Sequence, residues 1–279
     1  MQGGGFRTAF TSGVLDAFLV AERMEFEGYV AVSGGSIALS YFLAKQYGHC
    51  FEAMKLLADD PNFVQVKRLM SEEGYMDIDY LERISREVMP LDLEAAVKAS
   101  VNKLLRMVVS SRDTGKAEYL EPQKEDWIKT VIASCTLPFV TKGTYNLRDK
   151  KYFDGGWADS IPSRWAYKKG FKKQLIILTS PLDHKLKQSW PDYLGSIYFR
   201  ANQPLSRCFA LSHEVYNDAL TFISSPPLDA EFKVIAPEQL LLSGSYSYSG
   251  DSLLQDYRHG LDLGMRFLMQ NREYNIIST

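Results

Sequence analysis

The stretch Tyr29-Val30-Ala31-Val32 is an apolar run that stops at Ser33-Gly34-Gly35-Ser36 and resumes as an amphipathic segment, with Ile37, Tyr41 and Ala44 at helical spacing. A continuous apolar run that turns over two glycines into a 3.6-residue period reads as strand, tight turn and helix. A turn of this kind holds its serine on a sharp corner, where the first free N–H groups and the positive dipole end of the following helix point at the same place. That arrangement makes a serine a nucleophile. The same residues also suit a plain helix start, since serine and glycine are ordinary caps. The octapeptide alone leaves both readings open.

The rest of the chain must supply the decision. Its 279 residues are 46% hydrophobic and 24% charged, as expected of a globular chain with one large domain or two small ones. A net charge of −2 gives no basic face for neutralising phosphates, so nucleic acid is not expected as a partner. Cys50, Cys135 and Cys208 are too few and too scattered for a disulfide framework or a zinc site, which points to a reducing compartment. No apolar run approaches the roughly 20 residues that span a bilayer, and the first residues lack a signal-peptide pattern. The expectation is a cytoplasmic chain, at most peripheral to a membrane.

Gly3-Gly4-Gly5-Phe6-Arg7 opens a helical pattern carried by Val14, Ala17, Phe18 and Ala21. Three glycines in a row leave backbone N–H groups unobstructed for an anion, whether a phosphate or the oxyanion of an ester under attack. A flexible terminus fits as well. A dinucleotide fingerprint does not, because it needs a preceding strand and a glycine at Thr8. Beyond the turn, the helix of Ile37 to Ala44 is expected to close at Gly48. Residues 49–104 are helical by period but broken by Asp60-Pro61, Gly74 and Met89-Pro90, and read as a helical insertion over the sheet. Its apolar side chains, Phe51, Leu56, Phe63, Val66 and Met70 among them, suit either sheet packing or an acyl-chain channel.

Leu105–Val109 and Ala117–Leu120 flank a hairpin loop, and Tyr145–Phe153 forms a second hairpin turning at Arg148-Asp149-Lys150. Between them Trp127, Ile128, Val131, Ile132 and Cys135 mark a helix. The second hairpin delivers Asp154-Gly155-Gly156, which on its own is most simply a turn. A helix then starts at Ile161-Pro162 and closes at Gly170, and Gln174–Thr179 reads as a buried parallel strand. A helix over 204–222, a strand over 231–235 and a helix over 251–269 complete the chain. Strand and helix alternate with two inserted hairpins, so the fold class is α/β, a three-layer α/β/α arrangement with a largely parallel central sheet. Residues 180–203 carry no assigned element.

These motifs together resemble those of the patatin-like phospholipases, in particular the bacterial cytoplasmic members. That family's pattern is a Gly-Gly-Gly-x-Arg loop, a Gly-x-Ser-x-Gly elbow, an Ala-Ser-x-x-x-Pro segment and an Asp-Gly-Gly turn. Here they are Gly3-Gly4-Gly5-Phe6-Arg7, Ala31-Val32-Ser33-Gly34-Gly35, Ala133-Ser134-Cys135-Thr136-Leu137-Pro138 and Asp154-Gly155-Gly156, in the family's order. The match runs from residue 3 to about 180 and continues more weakly to the end. The resemblance implies a single acyl hydrolase domain over 1–279, with the helical insertion at about 49–104 and an α/β extension at about 180–279. It implies a serine esterase or lipase of the phospholipase A type that works by a dyad, with Ser33 as nucleophile and Asp154 as base. Gly3, Gly4, Gly5, Phe6 and Arg7 would form the oxyanion loop, and Gly35, Gly155 and Gly156 the supporting turns. It calls for no cofactor and no metal, and for a lipid or small acyl-ester substrate that leaves room for transient contact with a membrane surface.

Three departures stand out. Ala31 replaces the first elbow glycine and Thr8 a loop glycine. Only Met1-Gln2 stand where the family has a strand, so either the chain continues upstream or the sheet lacks that strand. An α/β-hydrolase triad of Ser33, Asp154 and His259 has the right order but needs several strands before its nucleophile. A patatin fold kept as a binding or regulatory module is the non-enzymatic alternative. The remaining histidines, His49, His184 and His213, lie in no motif, and Lys168, Lys169, Lys172 and Lys173 read as ordinary cations at a helix end.

Overall fold

The computed structural model describes residues 1–60, 78–137, 141, 143–245 and 249–271. The glycine loop leads through a 3-10 turn, Gly5–Arg7, into α1 (Thr8–Val20). There follow β1 (Gly28–Val32), α2 (Gly34–Leu43), α3 (His49–Asp59) and α4 (Ile78–Arg83), which continues as a π-helical turn over Ile84–Val88. Next come α5 (Leu93–Ser100), β2 (Leu104–Ser111), β3 (Ala117–Leu120), α6 (Trp127–Cys135), β4 (Tyr145–Leu147) and β5 (Lys150–Asp154). The chain continues with α7 (Gly156–Asp159), α8 (Ser163–Lys168), β6 (Lys173–Ile177), α9 (Trp190–Tyr198), α10 (Gln203–Ser224), β7 (Glu231–Ile235) and α11 (Gly250–Gln270).

The strands form a five-stranded sheet, in which β1 pairs with β2 in parallel and β3, β4 and β5 add antiparallel, and a parallel pair β6–β7. Met1 and Gln2 join the two. The Met1 amino group donates to the Val30 carbonyl (2.8 Å), Val32 N–H to the Met1 carbonyl (3.2 Å), and Gln2 N–H to the Ile177 carbonyl (3.0 Å). The two residues thus stand as a short rung between β1 and β6, and a mixed sheet runs on across them, parallel along β7, β6, β1 and β2 and antiparallel where β3, β4 and β5 join.

Helices cover both faces, as the alternation along β6 and its continuation makes plain. Ile177 points into one core with Phe10, Leu39, Met107 and Ile132, while Ile176 and Leu178 point into another with Tyr216, Leu220 and Ile223 of α10. Each fully buried Phe or Leu in these cores contributes about 1.5–3 kcal/mol by leaving water. On the first face α1 and α11 approach through glycine. A Cβ at Gly13 would lie 2.0 Å from the Tyr257 carbonyl oxygen, and one at Gly260 would lie 2.0 Å from that of Phe10. Asp16 ties the same region together by accepting from the Tyr257 hydroxyl (2.8 Å) and from Gly48 N–H (3.1 Å).

Two expectations need correction. Gly48 does not close the elbow helix: α2 ends at Leu43, Lys45 takes the left-handed position (φ 56°), and Gly48 caps the start of α3 instead. The unassigned stretch 180–203 holds a full helix, α9. Ser189 caps it, its hydroxyl accepting from Asp192 N–H. The hairpins stand as expected, the second turning through Arg148 and Asp149, both at positive φ. Phe63, Val66 and Met70 of the expected channel lie outside the described residues.

Candidate active site

Ser33 sits between β1 and α2 with φ 53° and ψ −131°, a region that L-residues occupy only when their surroundings force it, at a cost of about 1–3 kcal/mol. The forcing is visible. Its N–H donates to Ser134 Oγ (2.8 Å), and Ser134 in turn donates to the Val108 carbonyl on β2 (2.7 Å). Gly34 has no room for a side chain, because a Cβ there would lie 1.9 Å from Thr8 Oγ1, and one at Gly35 would lie 2.8 Å from the Gln2 carbonyl oxygen. Ser33 occupies the cap position of α2, yet its side chain makes no cap hydrogen bond. The hydroxyl is therefore not spent on the helix, which bears on the choice left open by the sequence. Ala31, the elbow departure, has its methyl fully buried in the core.

Register places the second motif residue. Val108 pairs with Val32 of β1 and with Tyr119 of β3, so these two strands lie on opposite edges of β2. Val109 pairs with Glu118 of β3 and with Asp154 of β5, so β5 lies on the same edge as β1. β1 runs parallel to β2 and β5 runs antiparallel, so their C-terminal ends meet head to head along one edge, Val32 opposite Val108 and Asp154 opposite Val109. Ser33 and Asp154 are the residues at that meeting point.

Asp154 is buried, and its backbone is pinned by its N–H on the Thr136 carbonyl (2.6 Å) and by the Ser110 hydroxyl on its own carbonyl (2.7 Å). Burial pushes its carboxyl up from the ordinary 3.8 to about 7, and the neighbouring Ser33 hydroxyl and Gly156 N–H (2.7 Å) pull part of the way back. A Cβ at Gly155 would lie 2.3 Å from the Val108 carbonyl oxygen, so only glycine lets the turn close on β2.

The glycine loop lies against the elbow, where a Cβ at Gly3 would come within 2.6 Å of Ser33 Cβ. Of the five loop residues, Phe6 N–H is directed at the Ser245 carbonyl and Arg7 N–H at the Gly4 carbonyl, whereas those of Gly3, Gly4 and Gly5 make no hydrogen bond among the described residues. Arg7 braces the loop: its guanidinium donates to Ser180 Oγ and Ser245 Oγ, both at 3.0 Å, and more weakly to the Gly4 carbonyl.

Ser33 opens on two spaces. One is a cleft of ≈ 380 Å³ that also takes in Asp154, the glycine loop, Trp157, His213 and Tyr216. The other is a small apolar pocket of ≈ 60 Å³ walled by Ile37, Met54, Leu57, Leu81 and Cys135. Met54, Leu57 and Leu81 belong to the helical insertion, so its described part does reach the serine. In the cleft, Ser160 Oγ, His213 Nδ1 and Tyr216 OH are buried without a hydrogen-bond partner among the described residues. Such orphaned groups are costly unless something polar meets them.

No local pattern marks His213, Tyr216 or Ser160 as site residues, whereas Ser134 lies in the Ala133-to-Pro138 motif, which does not show that its hydroxyl holds the Ser33 N–H. His259 faces Phe10 edge-on (5.4 Å) and does not line either space. Lys172 pairs with Asp229 and Lys169 lies over the Trp165 ring, both away from the cleft. Among the described residues no group of three or more His, Cys, Asp or Glu is placed to hold a metal ion, and no helix is long and apolar enough to cross a membrane.

A family model described as Patatin-like phospholipase matches residues 1–166, and one described as a domain of unknown function, DUF6363, matches residues 202–275. The uncharacterized protein YjjU of Escherichia coli (strain K12) is similar at 28% identity over 272 residues, which cover 96% of this chain and 75% of that protein.

Proposed function

This chain belongs to the patatin-like phospholipase family, whose members are generally hydrolases of lipid esters, and on that premise we propose that it is a serine acyl hydrolase working through a Ser33–Asp154 dyad. The observation that carries the reading is the head-to-head meeting of β1 and β5 on one edge of β2, beside which a serine hydroxyl not engaged in capping its helix stands next to a buried carboxylate. Ser33 Oγ attacks the acyl carbon and its proton passes to Asp154. The N–H groups of Gly3, Gly4 and Gly5 receive the oxyanion, and the N-terminus of α2 adds its dipole. Collapse breaks the ester bond, and the departing alkoxide takes the proton from Asp154. Water then attacks the acyl-enzyme, again giving a proton to Asp154, and as the acyl–Oγ bond breaks Asp154 returns that proton to Ser33 Oγ and the free acid leaves.

A carboxylate with an ordinary pKa near 4 is a weak base for serine; one raised to about 7 is suited to the task near neutrality. The two spaces suggest an orientation for the ester, with the acyl chain in the apolar pocket and the alcohol in the cleft. A polar leaving group there would meet the orphaned Ser160, His213 and Tyr216 atoms. We read the chain as one domain, since Arg7 of the glycine loop is held by Ser180 and Ser245 of the extension, and Tyr216 of α10 lines the cleft.

The test is a fluorophosphonate probe with p-nitrophenyl butyrate turnover alongside. Labelling at Ser33 that disappears with Ser33→Ala, together with loss of turnover in Ser33→Ala and Asp154→Asn, is the expected result. A folded wild-type protein that neither labels nor turns over would instead fit a binding module on the same fold.

A further inference from the structure

Helix α9 is built inside out. Residues Asp192, Gly195, Ser196 and Phe199, at i, i+3, i+4 and i+7, form the side that meets the protein. Asp192 accepts from Trp157 Nε1 (2.7 Å), the Ser196 carbonyl accepts from Ser206 Oγ (2.5 Å), and Phe199 stacks on Phe209. Gly195 lets the helix settle on the Phe209 ring, which a Cβ would approach to 2.7 Å. The opposite side carries Trp190, Tyr193, Leu194, Ile197 and Tyr198, each between 44% and 75% exposed. A helix that packs on a core normally turns its apolar stripe inward. Here the inward side is small and polar within the helix, with Phe199 the one large apolar residue at its end, while five large apolar side chains face out, so these serve something beyond the fold.

The position and the charge say what. Leu186, Lys187, Ser189 and Asp192, from the lead-in and first turn of α9, line the cleft that holds Ser33, so the stripe begins at its mouth. Within residues 182–200, Lys185, Lys187 and Arg200 are exposed, whereas of the two acids Asp192 is turned inward on Trp157 and only Asp183 is exposed; Glu214 and Asp218 are the exposed acids of α10 beside Asn217, which bonds Leu186. Aromatic and aliphatic side chains on one face with cations at the flanks match the interface of an anionic bilayer, where Trp and Tyr settle at headgroup depth. We propose that residues 182–198 dock the protein on an anionic lipid surface, with α9 lying in the interface and the cleft opening toward ester-bearing lipids. A nine-residue helix gives shallow, reversible seating. The purpose of the docking rests on the hydrolase reading above; the docking itself does not.

Ser33→Ala protein, which cannot consume the lipid, is therefore mixed with vesicles of phosphatidylcholine containing about one-third phosphatidylglycerol. It should co-sediment, shift its tryptophan emission to the blue as Trp190 enters the interface, and release at high salt. Adding Leu194→Asp with Ile197→Asp should lower the bound fraction by about tenfold or more while leaving the melting temperature unchanged. In the Ser33 background the same pair should leave p-nitrophenyl butyrate turnover intact and slow hydrolysis of vesicle lipid by a similar factor. Equal vesicle binding with and without the aspartates overturns the proposal, as does a wild-type dimer in light scattering that the aspartates convert to monomer, which would give the stripe to a second copy. Vesicle binding without any ester turnover would refute the hydrolase reading and leave the docking in place.

Discussion

Asp154→Asn should make the protein more stable and inactive, and the gain should depend on pH. The carboxyl is raised from 3.8 in the open chain to about 7 in the fold, so between those values the folded protein binds a proton that the unfolded chain has lost. Stability from this group is fully present below 3.8 and disappears as pH rises through about 7. Asparagine keeps an oxygen for the Gly156 N–H and does not titrate. At pH 5 the folded wild-type is about two units below its pKa and at pH 9 it is ionised, so the variant's advantage should grow by about 3 kcal/mol between the two. At about 2–4 °C per kcal/mol for a chain of this size, that is a relative rise in melting temperature of about 6–12 °C. Asp16, raised to about 6 by burial, titrates in both proteins and cancels. The assay is thermal unfolding of both proteins at several pH values, beside kcat/KM of the wild-type on p-nitrophenyl butyrate, which should rise with one ionisation near 7. A variant advantage that is flat with pH, or full activity at pH 5, would refute the reasoning.

Ser134→Ala leaves Ser33 N–H and the Val108 carbonyl without their partner, so it should cost about 1–3 kcal/mol and lower kcat more than it changes KM, measured by unfolding and ester kinetics. His259→Ala should lose only an edge contact with Phe10, worth about 0.5–1.5 kcal/mol, and keep its turnover; a loss as deep as that of Ser33→Ala would restore the triad. Leu57→Trp should fill the apolar pocket and shorten the preferred acyl chain in a p-nitrophenyl ester series, since each methylene buried there is favourable by about 0.8 kcal/mol; an unchanged profile would move the acyl chain elsewhere.

What was legible in the sequence is what local rules determine. The elbow declared itself because an apolar run cannot pass Gly34-Gly35 unturned, and the hairpin at Arg148-Asp149 because polar residues separate two β-rich runs. The α/β layering followed from alternation. What stayed hidden depends on partners far along the chain. Ser134 holds Ser33 from 101 residues away, and no pattern in either segment announces the other. His213 and Tyr216 look like ordinary positions on a long helix until α10 is laid beside the cleft. Gly48 starts α3 instead of closing α2 because Lys45 accepts the left-handed backbone that local rules reserve for glycine. The stretch holding α9 resisted for the opposite reason. An outward apolar stripe gives the periodicity no core to refer to, and only the packing of Gly195 and Phe199 shows which side is in.

β2 also acts as a jig. Val32, the residue before Ser33, and Asp154 are fixed opposite adjacent residues of one strand, Val108 and Val109, so the proposed nucleophile and base are set apart by a strand's pitch of about 3.3 Å per residue plus the single step from Val32 to Ser33. On the proposed reading the walls that a substrate would meet come from other parts of the chain, Met54, Leu57 and Leu81 on one side and residues of the 180–245 stretch on the other. Workpiece holders of this design accept new fittings without recalibration. Exchanging either wall should retarget the protein while the bond-breaking geometry stays put, whereas a one-residue slip of β5 along β2 would disable it with every side chain still present.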